Sequence, residues 1–111
     1  MLQKAKLKMP APEGNKLEQR FAMYLASLEK RGEILWWQYE PIRLRIGKGA
    51  LFTPDFGALR SDSSFVFFET KGSFTREASR VRLKAARDRY PFFEFRVARL
   101  AKGGGWEFSN I

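Results

Sequence analysis

The chain contains no cysteine and no histidine. Without thiols there is no disulfide scaffold and no cysteine nucleophile. Without imidazole there is no Ser-His-Asp triad, and lacking both there is no zinc centre of the usual His/Cys kind. Any acid-base or metal chemistry therefore falls to Asp, Glu, Lys, Tyr and water. Long apolar runs are also missing. Nothing approaches the about 20 residues of a membrane span, and residues 1–12 lack the apolar segment of a signal peptide. These absences predict a soluble, cytoplasmic protein with no membrane partner. Acidic residues are scarce as well: 12 face 21 Lys and Arg, for a net charge of +9 and a pI near 10.3. Such an excess points to a polyanion, most simply nucleic acid, with an anionic membrane surface as the second reading of charge alone.

What is present is one domain's worth of chain. Its 111 residues are 44% hydrophobic and include eleven Phe, which supports an independent core and excludes disorder of the whole. Residues 1–14 form a flexible basic arm with Lys4, Lys6 and Lys8, readable as a solubilising tail or as a phosphate contact. Residues 15–111 read as a single α/β domain. The spacing of Leu17, Phe21, Tyr24, Leu25 and Leu28 predicts a helix over 15–31, capped by Asn15 and ended at Gly32. Residues 33–46 read as extended, Gly47-Lys48-Gly49 as a turn, and 51–59 as the next strand, with 65–71 a buried central strand. Together these make a three-stranded meander. A second helix from about residue 74 or 75 to 90 then leads to a strand over 92–100. That order requires a crossover with 65–71 parallel to 92–100. Residues 106–108 read as an edge strand.

Chemistry concentrates in two strings, Thr53-Pro54-Asp55-Phe56 and Phe68-Glu69-Thr70-Lys71-Gly72. Strand alternation puts Glu69 and Lys71 on one face and turns Thr70 away. With residues 60–64 as a loop centred on Asp62, Asp55 falls directly across from Glu69. Neighbouring carboxylates repel unless a proton or a cation lies between them. A divalent-metal site follows, with Asp55 and Glu69 as ligands, the Thr70 carbonyl as an extra ligand, and Lys71 placed to stabilise charge or orient water. The alternative is a buried structural pair between Glu69 and Lys71 in a non-catalytic nucleic-acid-binding module. Glu18 borders the buried stripe of the first helix and could face a groove, but Asn15-x-x-Glu18 is also a capping-box pattern.

On the second helix six cations, Arg76, Arg80, Arg82, Lys84, Arg87 and Arg89, face two acids, Glu77 and Asp88. Arg76, Arg80, Lys84 and Arg87 fall on one stripe that could track a phosphate backbone, with Lys48 in the turn a further contact. Arg82 and Arg89 fall inside an apolar arc of Ala78, Val81, Ala85 and Ala86, where they must snorkel or meet a partner. Trp36, Trp37 and Tyr39 suit base stacking or packing, and a third reading makes Trp36, Trp37 and Trp106 a protein-interaction surface.

Pro54-Asp55, Glu69-Thr70-Lys71, the helical Glu18 and the α-β-β-β-α-β order resemble the PD-(D/E)XK nuclease superfamily over residues 15–100. The string from Phe52 through Lys71 to Lys84-Ala85-Ala86 is most similar to small phage-type endonucleases, the junction-resolving and nicking enzymes. The resemblance implies a restriction-endonuclease-like αβββαβ core, a mixed central sheet flanked by two helices. It implies magnesium or manganese on Asp55 and Glu69, assistance from Lys71, Glu18 completing the acidic set, and Lys84 bordering the site. The expected activity is metal-dependent hydrolysis of DNA phosphodiesters, selective for branched or nicked structure, in a phage or bacterial host. RNA is a less favoured substrate, and a homodimer is permitted by the exposed aromatics.

Overall fold

The computed structural model describes residues 14–71 and 77–111, with the side chains of residues 77–79 left aside. The basic arm at 1–13, Arg76 and the expected helix start near 74 or 75 lie outside the described residues. Helix α1 (Lys16–Lys30) has Asn15 at its N-cap in a complete capping box, and Gly32 beyond its end adopts φ +80°. Five strands form a mixed sheet in the order β1-β4-β5-β6-β7. They are β1 (Ile34–Tyr39), β4 (Phe56–Arg60), β5 (Phe65–Lys71), β6 (Glu94–Leu100) and β7 (Trp106–Asn110), and α2 (Glu77–Arg89) connects β5 to β6. The expected parallel pairing of β5 with β6 is present, as is an edge strand over 106–108, which here extends to Asn110. Among the described residues no helix is long and apolar enough to cross a membrane.

The three-stranded meander needs correction. Residues 33–46 and 51–59 are each broken in two. The chain leaves β1 at Glu40, which adopts φ +44° ahead of Pro41, and returns to the sheet only after Pro54. Each proline lacks an amide donor for a continuous ladder. Between these points β2 (Leu44–Gly47) and β3 (Ala50–Phe52) pair with each other as a separate two-stranded ribbon. The remaining antiparallel order, β1 beside β4 beside β5, is as expected.

Each face of the sheet has its own core. Against α1 lie Phe21, Leu25, Ile34, Phe56, Ala58, Val66, Phe68 and Ala98. Phe21 is fully buried, with the rings of Phe56, Phe68 and Trp106 at 5.2, 5.1 and 4.9 Å in edge-on geometries that favour aromatic contact. Against α2 lie Leu44, Phe52, Phe67, Leu83, Ala86, Phe95 and Val97. The apolar arc assigned to α2 is thus rotated: Leu83 and Ala86 are buried, whereas Val81 is exposed. Leu83, the largest aliphatic side chain of α2, takes the buried position together with Ala86, since burial gain scales with apolar area. A bulge between Ile34 and Trp36 likewise breaks simple alternation in β1. It lets Ile34, Trp37 and Tyr39 all pack toward the α1 core while Trp36 lies against Phe65.

Candidate active site

The loop centred on Asp62 is stabilised by the Asp62 carboxylate, which accepts from the Ser64 amide and hydroxyl at 2.9 and 2.6 Å. It sets the register Phe56 opposite Phe68 and Gly57 opposite Phe67. One step beyond the ladder, Asp55 and Glu69 come together as the sequence predicts. The Asp55 amide donates to Glu69 Oε1 at 3.2 Å. Lys71 Nζ lies 3.9 Å from Glu69 Oε2, and both side chains are about nine-tenths buried.

Thr70 does not turn away. Its amide and its hydroxyl both donate to Asp55 Oδ2, at 2.9 and 3.0 Å. Asp55 lies just ahead of the first residue of β4, so its carboxylate is not confined to one face of the pleat and reaches Thr70. The threonine therefore orients Asp55 with two donors, in addition to the carbonyl considered as a ligand.

Both carboxyls resist ionisation. Burial, then the adjoining charge of Asp55, pushes Glu69 up to about 8, against the opposing pull of Lys71, the Asp55 amide and Arg82. Burial first, with a contribution from Glu18, raises Asp55 to about 6, opposed by the Thr70 donors and Lys71. Two such groups side by side favour a shared proton or a cation over two free charges.

Glu18 occupies the cap. Its Oε1 accepts from the Asn15 amide at 3.0 Å and from the Tyr39 hydroxyl at 3.2 Å. Burial and the charge of Glu18 hold that phenol protonated well beyond its ordinary range. Gly14, at φ +84°, packs so closely here that a Cβ would collide with the Glu18 carboxylate. Glu18 still acts on Asp55 through its charge, so it borders the pair without joining it. Among the described residues no three Asp, Glu, His or Cys side chains gather into a metal-holding group.

The donor set nevertheless suits a hard divalent ion. It is built of oxygens, the buried Glu69 carboxylate sits beside the half-buried Asp55, and no hydrogen-bond donor among the described residues reaches Asp55 Oδ1. Arg82 and Tyr39 belong to the surroundings of the site without having been assigned to it from sequence. For Arg82 the signal was its position within an apolar stretch. For Tyr39 no local signal existed, because its orientation depends on the β1 bulge. Of the proposed phosphate contacts, Arg80, Lys84 and Lys48 are exposed, whereas Arg87 is bound to Asp88 at 3.1 Å. No family model, curated protein or solved structure matches the chain.

Proposed function

We propose that this protein is a metal-dependent endonuclease hydrolysing DNA phosphodiesters, built on a PD-(D/E)XK-type, restriction-endonuclease-like core. The observation that carries the reading is the convergence at the end of β5 of Asp55, whose amide donates to Glu69, with the buried Glu69 and Lys71, which form an ion pair. Asp55 and Glu69 would hold magnesium or manganese, with the Thr70 carbonyl as a third oxygen. Such an ion, when bound, supplies positive charge opposite the phosphate and favours ionised water.

The residues of the chain then divide the work. Thr70 fixes Asp55 by its Oδ2. Lys71, held by Glu69, presents an ammonium that orients the attacking water or a non-bridging phosphate oxygen, where low surrounding dielectric strengthens its effect. Water gives up a proton to solvent and forms the new P–O bond as the ester P–O bond breaks, and the departing oxygen takes a proton from solvent. The positive surface, including Arg80, Lys84 and Lys48, recruits the polyanion.

The test is incubation of supercoiled, branched and single-stranded DNA with magnesium or manganese, comparing wild type with Asp55→Ala and Lys71→Ala. Cleavage by wild type alone supports the proposal. Equal cutting by all three, or none under any metal, removes it. The buried ion pair between Lys71 and Glu69, 3.9 Å apart, favours one second reading, a non-catalytic DNA-binding module with a structural ion pair. That module would bind DNA in a salt-sensitive way without response to magnesium, and Glu69→Gln would destabilise it.

A further inference from the structure

We infer that the β2–β3 ribbon is a duplex-reading arm that inserts into the major groove of DNA and sets the position of the strand at Asp55. The inference rests on the nuclease reading for the identity of its ligand, and on separate observations for its form. Residues 41–54 carry Arg43, Arg45 and Lys48 and no acidic residue. The inward face of the ribbon is apolar: Leu44 and Phe52, directly paired, are buried against Leu83 and Phe67. On the outward face Arg45 pairs with Leu51, which is half exposed; Arg43, just ahead of β2, is exposed, and Lys48 occupies the turn.

All three cations are exposed, and among the described residues none has an acidic partner. Other arginines are neutralised internally, Arg31 by Glu33, Arg60 and Arg96 by Glu94, and Arg87 by Asp88. The ribbon therefore presents uncompensated charge where the rest of the surface often does not. A two-stranded ribbon fits a major groove about 12 Å wide, in which arginine reads guanine edges and an apolar side chain meets the thymine methyl.

The ribbon is also rigidly indexed to the site. Its two feet are Glu40 and Asp55, joined by a 2.7 Å hydrogen bond from the Glu40 amide to the Asp55 carbonyl. A proline stands inside each foot. Pro41 rests so closely on Gly57 that a Cβ there would come within 2.9 Å of its ring. The Tyr90 hydroxyl donates to the Arg45 carbonyl at 2.8 Å, tying the ribbon to the end of α2. From Phe52 to Asp55 the chain can span at most about 11 Å, so a groove held by the ribbon lies next to the carboxylates.

The experiment measures fluorescence anisotropy of the full chain with a labelled 20-base-pair duplex and with its single strand, in calcium, across a salt series. The Arg43→Ala/Arg45→Ala/Lys48→Ala variant should bind the duplex about tenfold or more weakly, with a salt slope shallower by about 2–3. Its affinity for the single strand should fall much less. Methylating guanine N7 in the duplex, which blocks the major-groove edge, should weaken wild type and not the variant. Thermal melting confirms that the variants fold, and Lys48→Ala alone, confined to the turn, provides a milder version of the same measurement. Equal losses on duplex and single strand, duplex affinity unchanged in the variant, or indifference of wild type to N7 methylation would each overturn the assignment. Hydrolysis of bis(p-nitrophenyl) phosphate by wild type with magnesium or manganese reports the carboxylate site separately. Its absence counts against the nuclease reading and leaves the binding measurements to decide on the ribbon.

Discussion

The two halves of β5 are equally buried and chemically opposite. Val66, Phe67 and Phe68 are 1–6% exposed and surrounded by other rings and aliphatic groups, while Glu69, Thr70 and Lys71, which continue the same strand, are 8–9% exposed. The first half gains stability from removing apolar surface from water. The second half meets the desolvation cost of charge, and that cost is visible in the raised carboxyls of Asp55 and Glu69. A fold keeps such an end only if its neighbours make up the deficit. On the opposite side of the sheet, Phe21 packs edge-on against Phe56, Phe68 and Trp106, burial that carries no such cost.

The comparison breaks most visibly in activity. Asp55→Ala or Lys71→Ala should lower the rate of DNA cleavage by about 10²-fold or more, as loss of a charged group at a reacting centre does, while leaving the melting transition cooperative. Plasmid nicking under single-turnover conditions measures it. At the apolar half, Phe21→Ala should cost about 3–5 kcal/mol, read as a lower denaturant midpoint; a loss below about 1 kcal/mol would mean that the α1 face is not the main source of stability.

Acidity sharpens the contrast next. Both carboxyls are raised, so they favour the fold in their protonated form. That stability is complete below about pH 4, diminishes as pH rises through about 6 for Asp55, and continues to fall toward about 8 for Glu69. Metal-free protein should therefore melt at lower temperature at pH 8 than at pH 5, and magnesium should recover more at pH 8. Glu69→Gln should flatten this pH response and remove the magnesium effect. A fall in its stability at pH 8 would instead favour the structural ion pair. The smallest change belongs to the partly exposed Arg60–Glu94 bridge, 2.8 Å long. Arg60→Ala should cost about 0.2–1 kcal/mol, diminishing with added salt.

Much of this site was legible because it depends on local rules. A loop centred on Asp62 dictates which residues face each other, and alternation then puts Glu69 and Lys71 on one face. Helix α1 was equally plain, since Asn15, the Phe21–Leu25 stripe and Gly32 each act within a turn or two. Less legible were the features in which distant groups compete. The excursion at residues 41–54 reads locally as parts of two long strands, because Pro41 and Pro54 mark bends without showing that Leu44 and Phe52 pack against Leu83 as a separate ribbon. The buried face of α2 is likewise decided at a distance, by the fit of Leu83 and Ala86 against Phe67 and Phe95.

By itself, then, the amino-acid order determined the residue types available for chemistry, the first helix, the hairpin register and hence the meeting of Asp55 with Glu69. All of these follow from covalent geometry and short-range periodicity. Only the tertiary structure decided that Thr70 reaches over to Asp55, that Glu18 serves as a cap bonded to Tyr39, that Arg82 acts on Glu69, and that a basic ribbon stands on Glu40 and Asp55 as its feet. Each of those depends on which apolar surface wins burial against which partner, a long-range contest that no local pattern encodes.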